Sequence, residues 1–416
     1  MLYKLTPAEA AHNILSTVRA LEPETVPLAD ALDRVLADGI TSPIDLPHWD
    51  NAAMDGYAVR SSDILGCCPV KLTVVDRITA GGFPTRAVES GQCARIFTGA
   101  PIPEGADSVI RQEDTSELEP GIVQIDHDRD ARQNVRPRGE DIQSGALVLA
   151  AGTQLRAAQI GVLASFATER VRVCRRPLVA ILATGDELAD LSERQAILDG
   201  RKIASSNSYT LAAMVGGAGG IALDLGIGHD DPQDLKDRLS AASQVDLLIT
   251  SGGVSVGEHD YLRQAVEEMG GEIRFWRVRM RPGGPTAFGL LQGQPWIGLP
   301  GNPVSTMVTF ELFVRPVIRT MLGHSHPFRR TVPVRMCEST SLRAPLHHFL
   351  RVVVEQINGQ LVAWLTGGQG SGILTSMAKA DALAVVPEDK LEVREGEILQ
   401  VMFLEEPFHV AKFPGE

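Results

Sequence analysis

Three things are scarce in this 416-residue chain, and each scarcity removes a class of answer. Its five cysteines, two of them adjacent at Cys67–Cys68, show neither C-x-x-C spacing nor an even-numbered framework, so no zinc module or disulfide scaffold is expected. A reducing cytoplasm fits best. Basic residues are in deficit, and a net charge of −13 opposes binding to nucleic acid or an anionic membrane surface. Any anionic ligand must therefore find a local basic patch. Long apolar runs are missing: no segment reaches the ~18 residues of a membrane span. The opening MLYKLTPAEAAHNIL also lacks a signal-peptide core, so a soluble, unprocessed, cytoplasmic protein is expected. With 44% apolar residues the chain can build several cores, at roughly 100–200 residues per domain.

The stretch most suggestive of chemistry is TSGGVSVGEHDY, Thr250 to Tyr261, which follows the apolar run Leu247–Ile249 and precedes a helical pattern. Gly252, Gly253 and Gly257, with Ser255 between them, let backbone N–H groups approach an anion at a helix start. Glu258 and Asp260 add hard carboxylate oxygens, which suit magnesium beside a phosphate. A single loop of this kind is also explained as a tight connection with Asp260 as N-cap. Two further loops favour a site. Leu178–Leu182 runs into ATGDEL, and Trp296–Leu299 runs into PGNPVS. Unbroken apolar runs read as buried parallel strands, and ligands of open α/β sheets bind beyond their carboxyl ends, so the three loops are expected on one edge. In the third loop, after Pro300, Asn302 reads as an N-cap and Pro303 as the first helical residue; Ser305 fits either capping or ligand binding. Pro316 should kink or divide the helix that follows.

Thr6-Pro7-Ala8-Glu9 forms a capping-box pattern that predicts a helix to about Ala20, and Leu28–Ala37 predicts a second one ending at Gly39. The segment DLPHWDNAAMDGYAVR crowds Asp50, Asn51, Asp55 and Tyr57 among small residues, which fits a site-lining loop and an Asx-turn cluster equally. From Lys71 to Val148 β-branched residues alternate with Gly/Pro/Asp turns, predicting a small β-rich domain, and Ala157–Phe166 returns to a helical pattern. RFWRVRMRPGGP places Arg277, Arg279 and Arg281 at period two, opposite Trp276, Val278 and Met280. That pattern fits a charge-guarded edge strand, but in an acidic chain beside phosphate-type turns an anion site is the expectation. In the last ~90 residues, Asn358-Gly359 marks a tight hairpin, and a small β-barrel or sandwich is expected.

DNAAMDGYAVR, RIFTGAPIPEGAD, RPRGEDI, ATGDEL, TSGGVSVGEHDY and GLPGNPVSTMVTF, in this order, resemble the molybdopterin molybdenumtransferase family, which also occurs as the E domain of gephyrin. The resemblance covers essentially the whole chain and is weakest at the C-terminal end. It implies a multi-domain α/β plus β fold, an elongated subunit. A helical linking domain would take residues 1–45 and 142–176, and a β-rich insert 46–141. A doubly wound, MogA-like α/β domain would span 177–326 and a C-terminal β-barrel 327–416. The implied reaction inserts molybdate into adenylated molybdopterin and releases AMP with the help of Mg2+. The implied assembly is a homodimer, with a MogA-type adenylyltransferase and molybdoenzyme chaperones as partners.

Carried over by motif, Asp55, Thr98 and Asp141 are implied on the insert side, and Glu187, Asp230 and Asp260 on the α/β side, with Glu187, Glu258 and Asp260 as metal ligands. Arg277 and Arg281 stand where the family usually has lysines, and Arg351 and Ser371 match positions implied in holding the oxyanion. Two departures count against molybdate affinity: the family's Pro-Gly-Lys-Pro reads PGGP, with Gly284 for lysine, and Gly372 replaces a frequent histidine. The enzyme reading thus has an alternative, a non-catalytic paralogue that binds molybdopterin or a protein partner as a scaffold.

Overall fold

In the computed structural model, which describes residues 5–254 and 261–405, the apolar run Leu178–Thr184 is a buried strand near one edge of a six-stranded sheet. The order is Ile221–Gly228, Leu178–Thr184, Leu247–Ser251, Gln294–Leu299, Ala287–Leu291, Glu272–Phe275. The first four are parallel, Ala287–Leu291 runs against them, and Glu272–Phe275 pairs antiparallel to Ala287–Leu291 and so shares the direction of the first four. Successive side chains of a strand point to opposite faces, so this sheet needs cover on both. Val179 and Ile181 pack with helix Ser206–Ala218 and the segment Pro303–Met321, while Ala180 and Leu182 pack with helices Pro232–Ala241 and Tyr261–Glu268. That is the doubly wound arrangement expected.

The C-terminal strands close on themselves. Thr331–Met336, Gln360–Leu365, His347–Ile357, Ala382–Val386 and Ile398–Phe403 pair in a ring, completed by Ile398–Phe403 against Thr331–Met336. Asn358 and Gly359 take φ of 50° and 79°, the left-handed pair that a two-residue hairpin demands. This barrel and the α/β sheet belong to one compact unit, Met1–Val26, Asp30–Ala37 and Val171–Glu416. The other unit, Pro27–Ala29 and Asp38–Arg170, holds a six-stranded mixed sheet centred on Gly56–Val59, Gln92–Ile96 and Val70–Ile78. Tyr57 and Val59 serve one apolar cluster and Ala58 another, so this sheet is buried on both sides as well.

Local expectations fared unevenly. The capping box forms, with Thr6 Oγ1 accepting the Glu9 amide and Glu9 accepting the Thr6 amide. The helix nevertheless stops at Leu15, because the Ser16 and Thr17 hydroxyls donate back to the carbonyls of Asn13 and Ile14, each at 2.8 Å. Residues 28–37 are not a helix. Leu28–Asp30 makes one 3-10 turn, Asp33 is left-handed at φ 62°, and Leu36 bridges to Val173. Beyond Pro303 the helix does divide: a π-helical turn, Phe310–Val314, separates Pro303–Thr309 from Arg315–Met321, where Pro316 is in the first turn.

Candidate functional site

In sequence order the chain passes from Leu178–Thr184 to Ile221–Gly228 on one side and then to Leu247–Ser251 on the other, which makes the edge beyond Thr184 and Ser251 a topological switch point. The turns there are shaped to keep side chains out. A Cβ on Gly185 would meet the Glu187 carboxylate at 2.6 Å, so glycine makes the room into which Glu187 folds. Gly252 has φ 95°, and a Cβ on it would lie 2.6 Å from the Thr184 carbonyl. Together with Pro300–Pro303 these turns enclose a cavity of about 540 Å³, walled by Thr184, Glu187, Asn207, Asp230, Gly252 and Asn302 among others. Thr184 Oγ1 is buried there without a hydrogen-bond partner among the described residues. A buried polar atom left unbonded is costly, and a ligand oxygen would offset that cost.

Asp186 brings the two acidic loops together. It accepts the Asp230 amide at 3.3 Å and meets His229 Nδ1 at 3.1 Å, so its neighbour Glu187 and Asp230 border the same cavity. The Asp230 amide, followed by His229, holds the Asp186 carboxyl below the ordinary range. Ser205, Ser206 and Asn207 are wall residues that the sequence reading passed over. Asn207 Nδ2 donates to Ser251 Oγ and to the Gly301 carbonyl, both at 2.8 Å, clamping two of the three loops. The Ser-Ser-Asn-Ser run ahead of a helical pattern was the available signal.

The predicted residues divide by place. Glu187, Asp230, Gly252, Gly253, Pro300, Asn302 and Pro303 border this cavity. Asn302 is at the N-cap position as expected, but its side chain makes no capping bond, and Pro303 does begin the helix. Ser305 is buried in that helix, with its carbonyl accepting the Thr309 hydroxyl at 2.7 Å. Arg277 and Arg281 are exposed opposite buried Trp276, Val278 and Met280, although only Met280–Arg281 is a strand. Pro285, four residues beyond Arg281, reaches the cavity wall. Arg351 is buried in the barrel; burial pushes its guanidinium down to about 10. It donates to Ser376 Oγ at 2.9 Å and to the Gly368 and Gly370 carbonyls at 3.1 Å, so it props the loop carrying Ser371. The Ser371 carbonyl in turn accepts the Val304 amide at 3.1 Å, at the start of the Pro303 helix. Ser255, Gly257, Glu258 and Asp260 lie outside the described residues.

In the other unit Asp55 Oδ1 accepts both the amide and the hydroxyl of Thr98, each at 2.8 Å. The Thr98 amide and then its hydroxyl lower the Asp55 carboxyl. Asp141 is exposed on a turn fixed by its amide to the Leu46 carbonyl at 3.0 Å. A larger cavity, about 870 Å³, lies elsewhere in the first unit, bordered by Glu311, Arg315 and Arg329. No predicted site residue borders it, and Glu311 is already paired with Arg329 at 2.6 Å, so size alone does not mark the chemistry.

Residues 5–167 match the MoeA N-terminal region (domain I and II), 180–320 a probable molybdopterin binding domain, and 333–404 the MoeA C-terminal region (domain IV). A molybdopterin molybdenumtransferase of Nostoc sp. is 38% identical over 92% of this chain and 88% of its own length. That of Haemophilus influenzae is 35% identical over 93% and 94%, and that of Bacillus subtilis 34% identical over 98% and 96%. Among solved structures, the molybdopterin biosynthesis moeA protein of Pyrococcus horikoshii OT3 superposes with a TM-score of 0.82 at 28% identity, covering 96% of this chain and all of that one. No helix among the described residues is long and apolar enough to cross a membrane. Sequence identity sustained from end to end and a shared three-dimensional frame place this chain in the molybdopterin molybdenumtransferase family.

Proposed function

We propose that this chain inserts molybdate into adenylated molybdopterin and releases AMP, in the cytoplasm. The observation that carries the reading is the switch-point cavity, where glycine turns, the Thr184 hydroxyl, without a partner among the described residues, and two carboxylates face one volume. The amides of the Gly252-Gly253 turn would hold the phosphates. Asn207 keeps that turn in register with the Pro300 turn, and Asp186 keeps Glu187 beside Asp230.

Magnesium fits the donor chemistry. No group of three or more His, Cys, Asp or Glu poised for a metal exists among the described residues, and Mg2+ typically takes one or two carboxylates plus phosphate oxygens and water. Glu187 would hold it, with Asp230 alongside and Glu258 and Asp260 adding to the set. When bound it would offset phosphoanhydride charge. Arg281, Arg351 and Ser371 are assigned to the molybdate end, Arg351 by fixing the Ser371 loop, with Arg277 as an outer cation. A homodimer is part of the proposal, with Asp55, Thr98 and Asp141 as the second subunit's contribution; a MogA-type adenylyltransferase and molybdoenzyme chaperones are its neighbours in the pathway.

The test is AMP release by the purified chain given adenylated molybdopterin, molybdate and magnesium. Molybdate-dependent release that is abolished in Glu187→Gln is the expected result. Binding of the pterin nucleotide with no release under any molybdate concentration would establish the scaffold reading instead.

A further inference from the structure

The pair Asp55–Thr98 draws on two separate turns: Asp55 directly precedes strand Gly56–Val59, and Thr98 lies just beyond strand Gln92–Ile96. These strands are antiparallel neighbours, and the last pair of their ladder is Gly56 with Ile96. Asp55 and Thr98 therefore both lie past the point where sheet pairing fixes the backbone. One carboxylate oxygen nevertheless meets the Thr98 amide and hydroxyl together, each at 2.8 Å, so the two turns need a tie of their own.

Arg95, opposite Tyr57 in that ladder, supplies the tie. Its guanidinium stands over the Tyr57 ring at 5.2 Å and over the Phe97 ring at 4.6 Å, so aromatic faces pack the fork. Nη1 donates to the Gly56 carbonyl at 2.7 Å, one peptide beyond Asp55, and to the Ile96 carbonyl at 3.3 Å, two residues before Thr98. Nη2 donates to Gln112 Oε1, and the Gln112 amide donates to the Asp55 carbonyl at 3.1 Å. The carbonyls of Asp55 and Gly56 are thus both held, one through Gln112 and one directly, by a side chain on the strand that leads to Thr98.

Among the described residues Arg95 bonds only neutral oxygens and ring faces, so no carboxylate at contact cancels its charge. Arg77, its neighbour on the other side in the sheet, stands 5.5 Å over the same Phe97 ring and is a second cation there. The Thr98 amide and then its hydroxyl lower the Asp55 carboxyl most, and the Arg95 charge adds to them. A lysine would keep that charge but offers a single ammonium in place of a rigid planar fork. We propose that Arg95 is the positioning residue of the Asp55–Thr98 pair, joining the two turns so that carboxylate and hydroxyl are presented as one unit. What the pair does rests on the molybdenumtransferase reading above; the proposal adds what holds it.

The experiment compares the full-length wild type with Arg95→Met, Arg95→Lys and Gln112→Ala. Hydrogen exchange at the Thr98 amide reads the geometry, and a carbon-NMR titration of the Asp55 carboxyl, assigned with Asp55→Asn, reads the charge. AMP release from adenylated molybdopterin with molybdate and magnesium reads the chemistry. Arg95→Met should speed Thr98 exchange about tenfold or more, move the Asp55 titration upward in pH and lower kcat about tenfold or more. Arg95→Lys should return the titration towards the wild type, because the charge is back, while exchange and release stay impaired, because one ammonium cannot span both the Gly56 carbonyl and Gln112. Gln112→Ala keeps the guanidinium and should speed exchange by a smaller factor. Thr98 exchange as slow in Arg95→Lys as in the wild type, whatever becomes of Arg95→Met, would overturn the proposal, as would full recovery of release by the lysine. Faster exchange and a shifted titration with release unchanged would uphold the tie and instead remove the Asp55–Thr98 pair from the reaction, so the two readings fail separately.

Discussion

Arg351 is 1% exposed, and among the described residues its guanidinium bonds only neutral oxygens, whereas Arg281 is exposed at the end of a two-residue strand that pairs with His347 and His348. The family resemblance assigns both to one oxyanion, but their surroundings give them different work. A buried charge satisfied by two glycine carbonyls and a serine hydroxyl is committed to shaping the Gly367–Gly372 loop. An exposed charge is free to act at a distance and is screened by salt. The contrast teaches that equal charge at two motif positions does not mean equal function, and it can be broken experimentally.

The largest effect should come from Arg351→Met. It removes three charge-assisted hydrogen bonds, one to the buried Ser376 hydroxyl and two to carbonyls of the exposed Gly368 and Gly370, and at roughly 1.5–3 kcal/mol for a bond to a charged group, less where water replaces it, a loss of about 3 kcal/mol is expected in urea unfolding. A loss below about 1 kcal/mol would show that the loop does not depend on the guanidinium. Next, Asp230→Asn should lower AMP release by roughly a hundredfold while the unfolding midpoint hardly moves, since Asp230 enters the Asp186 bond through its amide. Unchanged release would remove Asp230 from the site.

Gly284→Lys introduces the cation that the family resemblance implies at this position. Gly284 is not at positive φ, although a Cβ there would stand 3.2 Å from the Met280 carbonyl, so a small backbone adjustment is required. The molybdate concentration for half-maximal insertion should fall by roughly ten- to a hundredfold, with little change for the pterin nucleotide. A stable variant with unchanged molybdate dependence would mean that Arg281 already compensates. Arg281→Ala should raise that concentration by a smaller factor, on the order of fivefold, and the difference should shrink as salt is added.

The smallest effect concerns Asp55. Its folded-state carboxyl titrates below its unfolded value, so its contribution to stability is present above the unfolded value and is lost as pH falls through the folded one. Thr98→Ala removes the hydroxyl donor and keeps the amide. The acid limb of melting temperature against pH should therefore move slightly upward in pH; no movement would show that the amide alone sets the carboxyl.

What could be read from the sequence was whatever one strand and its turn determine. Leu178–Thr184 and Leu247–Ser251 are apolar without interruption because they are covered on both faces, and their glycine turns follow from the need to expose backbone. Residues 28–37 misled because helical spacing of apolar residues says nothing about the left-handed turn at Asp33 or about Leu36 pairing with Val173, far along the chain. Asn207 was missed for a similar reason. Its importance comes from Ser251 and Gly301, its partners across the sheet edge, and no local pattern records them. Arg351 was placed at the anion by motif, but its burial and its hold on the glycine loop depend on the closed barrel around it.

That closure has a consequence during synthesis. Strand Ile398–Phe403 joins both Thr331–Met336 and Ala382–Val386, so the ring cannot be completed until residue 403 has left the ribosome. Until then both neighbours present open edges able to recruit foreign strands. The segment that seals the barrel is thus the last of its strands to be made, and a truncation ahead of Ile398 would leave two strands of the compact unit as open edges able to template aggregation.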